Sequence, residues 1–302
     1  MKIYVSSYKF RRFYRFLEGE GYMKVAVMTD STAYISKDVR EKLNIHMVPL
    51  SVVFEDTSYQ EEIDITSEEF YKKVQETKRL PKTSQPSIGY VTTKLEELAK
   101  EYDAVISIHL SSGISGTYQT VASAGEMVDG IDVYTYDSEI SCMVQGFFVL
   151  EAVEMVKENK SPEEIIGRLD VMKQSLRAYF MVDDLTNLQL GGRLSSAQAL
   201  VGSLLQVKPI LHFVDKVIVP FEKIRTRKKA IKRIMGMLEA DAEKGKDLRV
   251  VFIHGNNEQA AIELRNEFSS RYPLADTMIS YFGPVIGTHL GEDSVGVGWY
   301  MK

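Results

Sequence analysis

Apolar β-branched runs and amphipathic segments alternate along most of this chain, and that alternation constrains it to an α/β fold. The stretch "KVAVMTD" at 24–30 reads as a buried strand ending in polar punctuation. "SKDVREKLN" follows as a short helix, and "ITSEEFYKKVQETK" carries a capping box, Thr66 with Glu69, ahead of an amphipathic run. "SIGYVTTKLEELAKEY" places Val91, Leu95 and Leu98 on one helical face. The strands "DAVISIHL" and "IDVYTYD" each precede a helix. Ser161, Pro162 and Glu164 then supply an N-cap, a first-turn proline and a capping-box partner. That helix feeds strand "AYFMV", and "ILHFVDKVIVPFEKI" reads as a hairpin turning at Asp215-Lys216. A long helix, "RKKAIKRIMGMLEADAEK", precedes strand "LRVVFIHG" and helix "NEQAAIELRNEFSSRY", and two strand-like runs flank "GTHLGED". Strands separated by helices predict a parallel sheet covered by helices.

The polar clusters share one address. "TDST", "HLSSGISG", "YDSE" and "HGNN" each close a strand-like run. Ligands in open α/β sheets sit beyond the carboxyl ends of the strands. Any one such cluster reads more simply as a helix cap; four together point to a site in a cleft between two lobes. The lobe boundary is predicted at the Ser161 helix. This gives an N-terminal α/β lobe over 23–160 and a C-terminal one over 161–302. Residues 1–22 differ from the rest, being basic and aromatic at first and then acidic. They lack a secretory signal's apolar centre. Back-translated, "EGEGYM" has a purine-rich, ribosome-binding character just before Met23, so Met23 is expected to be the native start.

At 44% hydrophobic and 26% charged, the composition is that of a soluble globular protein. The net charge of −5 disfavours a nucleic-acid partner. No apolar run reaches the roughly 18 residues of a spanning helix, and cytoplasmic residence is expected. Cys142 is the single cysteine, which leaves no intrachain disulfide, and its plain reading is a small buried thiol.

Three chemistries compete for the hydroxyl-rich turn "HLSSGISGTYQ" at 109–119. Ser115 could be a nucleophile, but G-x-S-x-G is missed by one position, since Gly116 follows Ser115 directly. None of the five histidines stands in a decisive context for a base. Nucleotide motifs are missing, with no G-x-x-x-x-G-K-[ST] and no G-x-G-x-x-G opening a helix, and no metal-ligand spacing occurs. An anion pocket fits better. Glycines let backbone N–H groups approach a ligand, and Ser111, Ser112, Ser115 and Thr117 can donate. "KTSQPS" adds Thr83 and Ser84 just before a helix. "ALVGSLLQVKPIL" offers apolar volume on more than one face; its plainer reading is core.

Six stretches taken together resemble the DegV family of bacterial fatty-acid-binding proteins. They are "DSTA" (30–33), "KTSQPS" (82–87), "SSGISGTYQ" (111–119), "LGGRLS" (190–195), "GPVIGTH" (283–289) and "GVGW" (296–299), in family order. The resemblance implies two α/β lobes with a ligand cleft between them and one long-chain fatty acid bound there, its tail mainly in the second lobe. It implies an acyl-binding subunit with no catalytic residue, cofactor or metal of its own. The partners implied are a separate ATP-dependent fatty acid kinase subunit, which makes an acyl-phosphate for phospholipid synthesis, and an acyl-phosphate acyltransferase. Carried over residue by residue, the ligand-binding positions are Thr83, Ser84, Ser115, Gly116, Thr117, Arg225 and His289, with Arg193 facing a partner or phosphate. Three positions depart from the family's common pattern: Tyr34 in the first motif, Leu190 before "GGR", and Glu292-Asp293 after "GTHLG". The alternative reading is a serine esterase or thioesterase using Ser115.

Overall fold

The computed structural model describes residues 23–194, 208–245 and 247–302. The basic-aromatic leader and most of "ALVGSLLQVKPIL" lie outside the described residues. From Met23 the chain forms β1 (Val25–Asp30), a 3-10 turn (Ser31–Ala33), α1 (Lys37–Leu43), β2 (Ile45–Val48), β3 (Ser51–Phe54) and β4 (Thr57–Gln60). It continues through α2 (Ser67–Thr77), β5 (Lys82–Ser84), α3 (Ile88–Leu98), β6 (Ala104–His109), α4 (Thr117–Gly125), β7 (Asp132–Asp137) and α5 (Cys142–Lys157). The second half begins with α6 (Pro162–Ser175), β8 (Arg177–Met181), α7 (Thr186–Leu190), β9 (Lys208–Val214) and β10 (Val217–Ile224). It ends with α8 (Arg227–Ala242), β11 (Leu248–His254), α9 (Glu258–Arg271), β12 (Asp276–Tyr281), α10 (Pro284–Leu290) and β13 (Val295–Met301).

The first lobe holds a parallel sheet in the order β2-β1-β6-β7. β1 and β6 are buried along their whole length, so both faces must be covered. Ala26, Met28 and Val105 pack on Val91 and Leu95 of α3 and Val121 of α4. The alternate residues Val27, Ile106 and Ile108 pack on Phe147 and Phe148 of α5, as the two-residue period of a strand requires. α5 also contacts β11 and β12, which makes it the layer between the two large sheets. Its first half is buried on every side, and its sequence is accordingly apolar all round.

The second sheet runs β10-β9-β8-β13-β11-β12. It is mixed, and of its strands β11 and β12 are the pair that run in parallel. β13 runs antiparallel to both β8 and β11, and Asp215 and Lys216 turn the β9–β10 hairpin with positive φ at both residues. The capping boxes at Thr66 and Ser161 form as predicted. The two strand-like runs that flank "GTHLGED" form β12 and β13, and "GTH" lies in α10 between them. Pro284 starts that helix, where its missing N–H is no loss. A third sheet, β4-β3-β5, is small and antiparallel, and the sequence reading missed it. Its strands are three or four residues long, too short for a clear period-2 signal. No helix of the described residues is long and apolar enough to cross a membrane.

Candidate functional site

The loop 110–116 leaves β6 at its carboxyl end and is held from below and from the side. Below it, Asp30 at the end of β1 accepts from the Leu110 N–H at 2.9 Å and from His109 Nδ1 at 3.0 Å. His109 Nε2 lies 2.5 Å from Ser107 Oγ. Serine, histidine and aspartate thus form a chain, but all three are fully buried, so it braces the loop and cannot meet a substrate. Beside the loop, Ser111 Oγ donates to the Lys216 carbonyl at 2.6 Å, tying it to the β9–β10 hairpin of the other lobe. Gly113 packs so closely on Lys216 that a Cβ there would collide with its backbone. Ser112 Oγ donates to Asp137 at the end of β7 at 2.5 Å. Two of the loop's hydroxyls are therefore structural.

Ser115 faces the cleft, with Thr117 buried behind it. Ser115 Oγ lies 2.9 Å from Thr117 Oγ1 and lines a cavity of about 210 Å³. Thr83, Ser84, Gln85, Gly116, Arg193 and His289 line it too. β3 places Thr83 there, since Val52 pairs with Thr83 in the small sheet. Thr83 Oγ1 is 3.0 Å from His289 Nε2, which reaches in from the last turn of α10. His289 Nδ1 is buried and has no hydrogen-bond partner among the described residues. Burial, and then the Arg193 guanidinium, push His289 down to about 4, so the imidazole is neutral at physiological pH. Arg193 donates from Nε to the Ile114 carbonyl at 3.2 Å and from its guanidinium to the Gly191 carbonyl, spanning the cleft. Gly191 lies against the His289 ring with no room for a Cβ.

A second, apolar cavity lies deeper. Ile140, Val144, Tyr179, Phe180, Phe213 and Phe282 are on its wall, with Cys142. Burial pushes the Cys142 thiol up to about 12, as suits an inert buried thiol. Ile114, Arg193, Ile286 and His289 line both cavities, so polar and apolar spaces meet at one wall. Chemically, this arrangement suits an amphiphile with a small polar head and a long apolar tail.

A family model, DegV, described as an uncharacterised protein family, matches residues 24–302. The chain belongs to the DegV family. It is 59% identical over 281 residues to Protein DegV of Bacillus subtilis (strain 168), covering 93% of this chain and 100% of that one. The crystal structure of DegV, a fatty acid binding protein from Bacillus subtilis, superposes with a TM-score of 0.89 at 59% identity, over 93% of this chain and 100% of that chain. A fatty-acid-binding DegV family protein from Thermus thermophilus does so with a TM-score of 0.85 at 32% identity, again over 93% and 100% of the two chains. Both of these solved proteins are described as binding fatty acids, and this chain shares their α/β fold.

Of the residues singled out in the sequence, Thr83, Ser84, Ser115, Gly116, His289 and Arg193 come together around the polar cavity. Thr117 stands behind Ser115 as its hydrogen-bond partner. Arg225 is not brought to them: it is exposed just before α8, whose N-cap is Thr226, and it lines neither cavity. Glu292 and Asp293, the departure after "GTHLG", are held by the turn that follows β11. They accept from Asn256 and Asn257, at 2.6 and 2.9 Å, so "HGNN" braces the loop before β13. Gln85 went unnoticed in the sequence; it lines the cavity and donates to Thr120 at 2.7 Å. The apolar wall was missed as well, because its residues come one or two at a time from many separate elements.

Proposed function

We propose that this chain binds a long-chain fatty acid and presents its carboxylate to a separate ATP-dependent fatty acid kinase, whose acyl-phosphate product feeds phospholipid synthesis in the cytoplasm. The observation that carries the reading is the shared wall of Ile114, Arg193, Ile286 and His289 between a hydroxyl-lined and an apolar cavity. The description of its relatives as fatty-acid-binding proteins supports it. In this reading the tail supplies the affinity. Roughly 14 methylenes at about 0.8 kcal/mol each give about 11 kcal/mol gross, from which association subtracts several kcal/mol. A buried carboxylate without donors would be strongly unfavourable. Thr83 and Ser115 are the donors assigned to it, with His289 completing the head-group pocket and Arg193 assigned to the partner or its phosphate. The chain is assigned no catalytic residue, cofactor or metal.

Lipid extraction and native mass spectrometry of the purified protein test the reading. One fatty acid per chain is expected, together with no labelling of Ser115 by a serine-directed covalent probe. Labelling that disappears in Ser115→Ala would instead make the protein an esterase. Against that rival stands the setting of Ser115, which is hydrogen-bonded to Thr117 and not to a histidine.

Arg193 supplies a further prediction. A transferred phosphoryl group gathers negative charge that a nearby cation stabilises. Arg193→Ala loses its two hydrogen bonds to backbone carbonyls, worth about 1 kcal/mol each, so the protein should melt only a few degrees lower. Acyl-phosphate formation with the cognate kinase should collapse. Normal phosphorylation by a stable Arg193→Ala protein would reject the role.

A further inference from the structure

Glu61 lies outside both cavities, and its side chain is completely buried. Its Oε2 accepts from Ser31 Oγ at 2.6 Å. Its Oε1 accepts from the Tyr34 hydroxyl at 2.9 Å and, across the cleft, from the backbone N–H of Val285 at 2.7 Å. The Tyr34 hydroxyl in turn accepts from the Ile286 N–H at 3.3 Å. Tyr71 of α2 donates to the Phe282 carbonyl at 2.8 Å. Three side chains of the first lobe therefore grip the segment from Phe282 to Ile286. The glycines of "GPVIGTH" make that grip possible, because a Cβ at Gly283 would strike the Tyr34 ring and one at Gly287 would strike the Tyr71 hydroxyl. Two residues of the gripped helix, Ile286 and His289, stand on the wall shared by the two cavities. α10 is only seven residues long, so a displacement at Val285 is carried to His289.

Building on the fatty-acid-binding reading, we propose that Glu61 is the positioning residue of the head-group pocket: its carboxyl group fixes α10, and through it Ile286 and His289, against the first lobe. Glu61 meets the polar cavity only through backbone groups, the Val285 N–H and the Leu50 carbonyl, so its influence on binding runs through the segments it holds.

The role has a pH signature. Burial pushes Glu61 up to about 7, against the opposing effect of its three donors. The groups that face it are Ser31 and Tyr34 from the turn after β1, Tyr71 from α2, Cys142 from α5, and Tyr281 from β12 beside Glu62 and its ion-pair partner Arg40 of α1. Burial raises the three tyrosine hydroxyls and the Cys142 thiol well above neutrality. His289 titrates lower, at about 4. Parting α10 from the first lobe would hydrate Glu61 and return it towards its ordinary value of 4.5. The gripped state thus binds the proton more tightly than the parted one. Its extra stability is fully present below 4.5, fades as pH rises to about 7, and is level above that.

The experiment follows release of cis-parinaric acid, a fluorescent polyunsaturated fatty acid, into excess unlabelled oleic acid between about pH 5.5 and about pH 8. Wild-type protein is expected to release the probe roughly tenfold more slowly at the acid end. Glu61→Gln, which imitates the protonated group, should be slow and flat across the range. Ser115→Ala should release faster at every pH with the wild-type slope. Tyr34→Phe keeps the carboxyl group but removes one donor, and should move the midpoint upward. A release rate that is flat in wild type, or equally pH-dependent in Glu61→Gln, overturns the proposal alone. Wild-type protein that takes up no probe at any pH overturns the fatty-acid reading, and this role with it.

Discussion

Asp30→Ala should lower the unfolding free energy by about 3–5 kcal/mol, a large share of a typical domain's stability. Asp30 is completely buried, and its two oxygens accept five hydrogen bonds. Oδ1 takes the Thr32 N–H at 3.0 Å and the Thr32 hydroxyl at 2.6 Å. Oδ2 takes His109 Nδ1 at 3.0 Å, the Leu110 N–H at 2.9 Å and Gln145 Nε2 at 3.2 Å. Alanine would strand the Thr32 and Leu110 N–H groups and His109 Nδ1 where water does not reach, while the Thr32 hydroxyl and Gln145 Nε2 keep other acceptors; each stranded donor costs about 1–3 kcal/mol before relaxation. The loss should show as a lower urea midpoint with an unchanged slope. Asp30→Asn keeps one carbonyl oxygen and should lose about half as much. A loss below about 1 kcal/mol in Asp30→Ala would mean that this network does not hold the ends of β1 and β6 together.

The same residue shows what the sequence could reveal. "TDST" and "HLSSGISG" each close a strand-like run in the sequence, and at those strand ends Asp30 meets His109 and Leu110. Strand ends are legible because each follows a strong apolar run. What the polar residues do at those ends is not, because a hydroxyl that caps a turn and one that faces a ligand look alike in sequence. Of four hydroxyls in one loop, Ser111 and Ser112 turn to Lys216 and Asp137, Ser115 faces the cavity, and Thr117 stands behind it. Glu61 shows a second limit. In "SYQEEIDIT" it looks like one of two surface acids, yet it is buried and Glu62 pairs with Arg40. Its partner Val285 lies 224 positions along the chain, and no local pattern encodes a pairing of that range. The small sheet was hidden for the opposite reason, since strands of three or four residues carry too little pattern to register.

Sorting the loop's hydroxyls also sharpens the test of the head-group pocket. The double variant Thr83→Val with Ser115→Ala should bind fatty acid at least roughly 100-fold more weakly than wild type. Each substitution removes one donor to a partly buried anion, worth about 1.5–3 kcal/mol for a charged acceptor, and about 1.4 kcal/mol is tenfold in Kd. Stability should change far less. Thr83 gives up its contact with His289, and Ser115 gives up Thr117 Oγ1 and the Thr117 N–H, all neutral groups and worth about 1 kcal/mol each. Ser112→Ala is the control from the same loop. Its hydroxyl belongs to Asp137 and lines neither cavity, so affinity should be unchanged while the melting temperature falls slightly. Displacement of a fluorescent fatty acid, measured on all three proteins, separates the cases. Equal weakening in Ser112→Ala and the double variant would mean that the loop acts through its shape. Wild-type affinity in the double variant would put the carboxylate elsewhere, away from the wall where the polar and apolar cavities meet.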